Sequence, residues 1–450
     1  MQMATISRWT LAYFGCALMA LIGALGLMAA GVGYPGEGLM APRTLVVVHL
    51  VTIGWLSLLM LGAMLQFLPV LVGRELAWPR LAPIALVLLV AGLALLLGGF
   101  LALDGWAIGS ADLLPIGGAV LLTGFCIGAA MLFATLLRAH ALPLPAGFVA
   151  LGLISLLVAV LLGGTLASVL AGLVGGDFAV ALVEHGVVLH AAFGLGGWLT
   201  LAAMGVSYRL VSMFLVAPER KGALTMMALW SGVVALGMLV GVLFALIATN
   251  GSWSLGLALA GIAAALAVGA YLADVAALFR TRRRAKLELH MSGALAAMAM
   301  LGLGAALLIR ARWTGAEGEL AAAMHVLALG WLGGLGLAML YKIIPFLTWL
   351  ECFAPHMGRM TTPRVQDLVV ERRAAPFLLL YFVAELVVAG GLLSGFEPVF
   401  RLASMVQVLG VVLLVHQFVR ARRLADLPEP WLGHKRPRLM LPATRQGSVA

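Results

Sequence analysis

The stretch HLVTIGWLSLLMLGAMLQFLP, residues 49–69, decides how this chain is read. It is apolar enough to cross a bilayer, whose hydrocarbon core of roughly 30 Å takes about 20 apolar helical residues. Yet it opens on an imidazole and ends on a Gln and a Pro. An ionisable side chain inside such a helix is costly and faces a partner or a cavity rather than lipid. The stretch also returns twice, as HAAFGLGGWLTLAAMGVSYRLVSMF at 190–214 and HVLALGWLGGLGLAMLYKIIPFL at 325–347. Aligned on Gly54-Trp55, Gly197-Trp198 and Gly330-Trp331, each copy continues with a leucine: Leu56, Leu199 or Leu332. A small residue follows (Gly62, Gly205, Ala338), then a polar one (Gln66, Arg209, Lys342). Pro69 and Pro345 close two of the copies, at the same distance from His49 and His325.

A repeat of this kind sets the organisation of the chain. With 63% hydrophobic and 10% charged residues among 450, and a mean hydropathy of +1.12, the composition is that of an all-α integral membrane protein. Twelve spans are predicted, near 11–33, 46–71, 82–103, 113–137, 147–175, 184–215, 223–248, 254–279, 289–309, 320–349, 375–394 and 398–419. The three copies fall on spans 2, 6 and 10. The chain therefore reads as one membrane domain, 1–450, made of three pseudo-symmetric blocks of four helices, near 1–145, 146–285 and 286–450.

The net charge of +10 raises the question of nucleic acid. The placement of the charges answers it: basic residues gather in alternate connections, as in RTRRRAK at 280–286. That is the positive-inside pattern, which predicts cytoplasmic N- and C-termini in a bacterial-type inner membrane, with the lipid bilayer as partner and no nucleic acid. Only Arg43, Arg310, Arg312 and Arg401 fall in predicted outer loops. Cys16, Cys126 and Cys352 are isolated, which argues against a disulfide framework or a thiolate cluster, and no C-x-x-C-H stretch for covalent heme occurs.

Close helix packing explains the small residues of the repeat, an interfacial position explains the tryptophans, and snorkelling explains Gln66 and Lys342. None of these explains His49, His190 and His325, placed at similar depth in three equivalent helices; ligation of a metal does. Glu385 stands alone in span 11, as either a protonated, hydrogen-bonded carboxyl or a member of a proton relay. His140, His290, His356, His416 and His434 read as solvated or interfacial.

Twelve helices in three blocks, with histidines on helices 2, 6 and 10, resemble subunit I of the heme-copper oxidases and nitric oxide reductases. The resemblance implies a b-type heme held by His49 and His325, with Arg401 at its propionates and Arg43, Arg310 or Arg312 assisting. Ala323 stands where that family places the ligand of its high-spin heme. His190, with His185 nearby, matches the helix 6 copper ligand, but span 7 carries no histidine, so copper is not expected. A bis-imidazole iron is coordinatively saturated and suited to electron transfer rather than oxygen reduction. The implied function is electron transfer from quinol or a periplasmic cytochrome, or response to a gas such as nitric oxide, without a complete terminal-oxidase centre. Two alternatives stand beside it. One is a second metal centre at His185 and His190. The other is a polytopic transporter of heme, a metal ion or a small polar solute, with His49, His190, His325 and Glu385 lining a path, although inverted two-fold repeats are the commoner transporter plan.

Overall fold

The computed structural model describes residues 3–106, 109–248, 254–429, 431 and 436–440; His434 lies outside the described residues. Twelve helices among them are long and apolar enough to cross a membrane. Spans 1 to 4 are Trp9–Ala29, Pro42–Val72, Pro79–Leu103 and Leu113–Leu137. Spans 5 to 8 are Leu144–Leu170, Ala179–Leu215, Ala223–Ala245 and Ser254–Arg280, and spans 9 to 12 are Leu289–Thr314, Glu317–Cys352, Glu371–Ser394 and Glu397–Arg422. The order repeats every four helices. Spans 3 and 4, 7 and 8, and 11 and 12 pack as close hairpins, while spans 1, 5 and 9 lean on spans 2, 6 and 10.

The small residues of the repeat make that leaning contact. A side chain at Gly54 would run into Ala20 of span 1, one at Gly197 into Ser155 of span 5, and one at Gly330 into Met300 of span 9. Further along the same faces, Gly62 is closed against Tyr13, Gly205 against the Pro145 carbonyl, and Ala338 against Gly293. Each copy of the motif is thus a groove in which the preceding helix lies, the close approach that small residues permit in membranes.

Spans 2, 6 and 10 meet one another in the middle of the protein, and there they are not α-helical. Residues Leu50–Ser57, Ala192–Leu201 and Val326–Gly333 are π-helical, for example with Leu58 N–H donating to the Ile53 carbonyl and Gly334 N–H to the Leu329 carbonyl. A π turn takes one residue more than the α turn it replaces, which rotates the preceding helix by about 100° and re-aims whatever side chains lie there. His49 and His325 each stand one residue before such a segment, and His190 two. The apolar pattern carries no signal for this change of winding.

The tryptophans of the repeat are not interfacial. Trp55, Trp198 and Trp331 are fully buried inside these segments. Trp198 Nε1 donates to Ser57 Oγ at 3.0 Å, and Ser57 in turn donates to the Thr52 carbonyl at 2.8 Å. Trp55 lies over Gly333 and Gly336 of span 10, and Trp331 meets Tyr271 of span 8 edge-on, centroids 6.1 Å apart. Trp198 and Trp55 thus bridge from one copy of the repeat to another, where lipid-facing indoles would have bridged nothing.

Two other expectations change in the later parts of spans 6 and 10 and at the start of span 9. Arg209 and Lys342 do not reach out alone but pair with Glu219 and with Glu288, the latter at 2.5 Å. His290 is 1% exposed, packed edge-on against Phe214 and 3.6 Å from Glu288, so it is neither solvated nor interfacial.

Two consequences can be measured by unfolding the protein in detergent. A side chain at Gly117 would lie 2.7 Å from the Leu96 backbone nitrogen and 3.0 Å from the Gly92 carbonyl, atoms that cannot step aside, whereas Gly261 has open space around it. Gly117→Leu therefore lowers stability by about 1–3 kcal/mol or more, and Gly261→Leu does not. Ser57→Ala strands the buried Trp198 N–H at a cost of about 1–3 kcal/mol. The same change made in a Trp198→Phe background costs less, since no indole N–H remains to be stranded.

Candidate functional site

The π segments direct the three repeat histidines to two different places. His49 sits beside Phe100 of span 3, ring centroids 5.1 Å apart, and beside His190 of span 6, centroids 6.2 Å apart with planes within 25° of parallel. His49 Nδ1 is tied to the Leu45 carbonyl at 2.8 Å, and His190 Nδ1 to the Ala159 carbonyl of span 5 at 2.9 Å. A backbone carbonyl accepts only from N–H, so both rings carry their proton on Nδ1 and present a bare Nε2. This is how a metal-ligating imidazole is held: the second nitrogen fixes the tautomer and the ring orientation. Span 5 makes room for one ring with a glycine, since a side chain at Gly163 would lie 2.8 Å from His190 Cε1.

The register explains why His190 reaches His49. His49 and His325 precede their tryptophans by the same interval (49 to 55 and 325 to 331), whereas His190 stands two residues further from Trp198 (190 to 198). The π segment that follows it, Ala192–Leu201, is correspondingly longer than the other two.

His325 turns instead toward spans 11 and 12. Its Nδ1 is 2.9 Å from the Tyr34 hydroxyl, in the connection between spans 1 and 2, and its Nε2 is 3.3 Å from Glu385 Oε2. Gln407 Nε2 donates to that same carboxylate oxygen at 2.6 Å. Phe400 covers both Tyr34 and His325. The side chains of His325 and Glu385 are 0% exposed, and burial together with the neighbouring Glu385 carboxylate pushes the Tyr34 hydroxyl far above its usual pKa, so it stays neutral. Glu385 is therefore one of a series of buried polar groups, Tyr34, His325, Glu385 and Gln407, that no spacing within span 11 announces. Gln407 was missed because it lies in an apolar stretch of span 12, and Tyr34 because it lies in the glycine-rich connection between spans 1 and 2.

The remaining expected site residues have their own partners. Arg401 donates to the Ala29 and Ala30 carbonyls at the end of span 1, at 3.4 and 3.1 Å, and lies 3.7 Å from Glu397. Arg43 pairs with Asp104 at 2.7 Å and Glu37 at 3.3 Å, and Arg310 with Glu319 at 2.8 Å. His185 lies in a further π turn, Leu182–Gly186, with Nε2 3.8 Å from Glu184. Among the described residues, no three His, Cys, Asp or Glu side chains converge as a metal-binding group.

Asp274 is a fully buried carboxylate that the sequence reading passed over. It is satisfied by Arg220 at 2.9 Å, Thr225 at 2.6 Å and Tyr208 at 3.3 Å. Its surroundings are those of a structural ion pair holding spans 6, 7 and 8 together with the connection between spans 6 and 7.

No protein-family model matches the sequence, and no curated protein matches it. The fold does match solved structures. One is a heme-copper terminal oxidase dimer, described as providing insights into its catalytic mechanism; the match has a TM-score of 0.58 and 12% identity, and covers 98% of this chain and 85% of that one. The fold is therefore like that of a heme-copper oxidase subunit I: all-helical, with twelve candidate spans among the described residues in three blocks of four.

Proposed function

We propose that the chain is a membrane-bound b-type heme protein, built on the oxidase fold but used for electron transfer or for response to a gas such as nitric oxide. The observation that carries this reading is the His49–His190 pair. Two imidazoles brought together from two blocks, each anchored at Nδ1 to a backbone carbonyl, are the residues that would hold a heme iron. Their ring centroids are 6.2 Å apart, with both Nδ1 atoms anchored and both Nε2 atoms free. His49 is the ligand expected from the sequence; its partner in this reading is His190 rather than His325, whose Nε2 faces Glu385.

A heme held by these residues would supply one-electron exchange. The residues of the chain do the rest. The Leu45 and Ala159 carbonyls keep the rings oriented, Phe100 shields one flank, and Gly163 leaves the space that His190 occupies. Arg43, now paired with Asp104 and Glu37, and Arg401, now beside Glu397, would be the residues to neutralise its propionates. Quinol or a periplasmic cytochrome would be the electron donor, in a bacterial-type inner membrane with both chain ends cytoplasmic.

Protein purified after expression with ample heme tests the reading. A pyridine hemochrome assay is expected to count one b heme per chain, with a low-spin bis-imidazole spectrum. His49→Ala and His190→Ala each reduce heme retention on the order of tenfold or more, or convert the spectrum to high spin, while His325→Ala leaves it low-spin. A colourless preparation sinks the proposal; loss of the low-spin signal in His325→Ala but not in His190→Ala returns the second ligand to span 10.

A further inference from the structure

The buried carboxylates of this protein divide in a way that the heme reading does not use. Asp274 has a guanidinium and two hydroxyls, and Glu319 has the Arg310 guanidinium and the Thr314 hydroxyl. Glu385, 0% exposed, has no Lys or Arg partner among the described residues; its neighbours are His325 and the Gln407 amide. An uncompensated buried carboxylate is held only with a proton or a cation.

Three polar atoms of this one cluster are also buried without a hydrogen-bond partner: His325 Nε2, Glu385 Oε1 and Gln407 Oε1. The 3.3 Å approach of His325 Nε2 to Glu385 Oε2 is close enough for a hydrogen bond but is not aligned as one. The tautomer supplies the reason. With the ring proton on Nε2, that N–H would have no aligned acceptor; with the proton on His325 Nδ1, the Tyr34 oxygen accepts it at 2.9 Å and has Met28 Sδ at 3.9 Å as a weak acceptor for its own proton. Nε2 then carries a bare lone pair aimed beside a carboxylate. Two such groups repel unless something positive lies against both.

The spacing fits a metal ion. Two ligands at about 2.0–2.2 Å from a tetrahedral ion lie roughly 3.4 Å from each other, the edge that Nε2 and Oε2 form. We propose that His325 Nε2, the Glu385 carboxylate and Gln407 Oε1 form a binding site for a divalent first-row metal ion of the Zn(II) type, separate from the His49–His190 pair. Imidazole with carboxylate and amide oxygens is a borderline-hard set, suited to such ions and unsuited to Cu(I). Tyr34 is the positioning residue: its hydroxyl accepts from Nδ1–H, fixes the ring and raises the basicity of Nε2, as the outer partners of metal-bound histidines do. Phe400, covering Tyr34 and His325, keeps the site dry.

The test uses the full chain in detergent, stripped with EDTA, equilibrated with ZnCl2, desalted and analysed for zinc by mass spectrometry, with heme counted in parallel. Wild type is expected to retain one zinc more than His325→Gln or Glu385→Gln. Tyr34→Phe is expected to keep the stoichiometry with affinity lowered about 10–100-fold. Heme content reports folding of the variants, and zinc titration of wild type stands without it, so failure of the heme reading and failure of this one are distinguishable. Equal zinc in wild type and Glu385→Gln overturns the proposal. So does a wild type that takes up no zinc and shows a protonated-carboxyl infrared band that disappears in Glu385→Gln, which assigns the positive partner of Glu385 as a proton.

Discussion

The whole arrangement depends on three helices approaching one another at the centre of a twelve-helix bundle. Spans 2, 6 and 10 do so by burying an indole each and by winding as π-helices where they meet. In a bilayer no hydrophobic force separates a helix from lipid, so association rests on close packing and on polar groups that find partners. The Trp198–Ser57 hydrogen bond and the stacking of Trp55 over Gly333 and Gly336 are contacts of that kind. The outer helices are then seated by the glycine grooves of the inner ones, and His49, His190 and His325 stand one or two residues before the segments where the inner helices meet.

Much of this architecture was legible because the repeat is a packing code. Gly54, Gly197 and Gly330 recur since spans 1, 5 and 9 each need a groove, and a groove in a helix is written as a missing side chain. The number of spans follows from apolar length alone. The oxidase-like fold was legible for the same reason, although at 12% identity the likeness to a terminal oxidase concerns architecture and not chemistry.

The site was only partly legible. His49, His190 and His325 stood out as costly residues in apolar helices, but their directions did not, because hydropathy is blind to a change from α to π winding. A straight α-helical reading puts three imidazoles at one level, while the observed winding sends His49 toward span 6 and His325 toward span 11. Glu385 was visible as an isolated carboxylate, yet its partners come from two other helices, His325 of span 10 and Gln407 of span 12, and His325 is tied in turn to Tyr34 in the connection between spans 1 and 2. The tryptophans misled for a related reason: the same residue that anchors a helix end at the lipid headgroups also fills the largest gaps in a core.

The two-residue slip at His190 has a geometric meaning for any ligand the bundle shares between blocks. Trp55 and Trp198 fill the space where spans 2, 6 and 10 meet by reaching from one copy of the repeat to another. A ligand clasped between the first two blocks, as proposed, would be gripped at unequal positions of the repeat, and the displaced imidazole of the second block is the residue that breaks the copy.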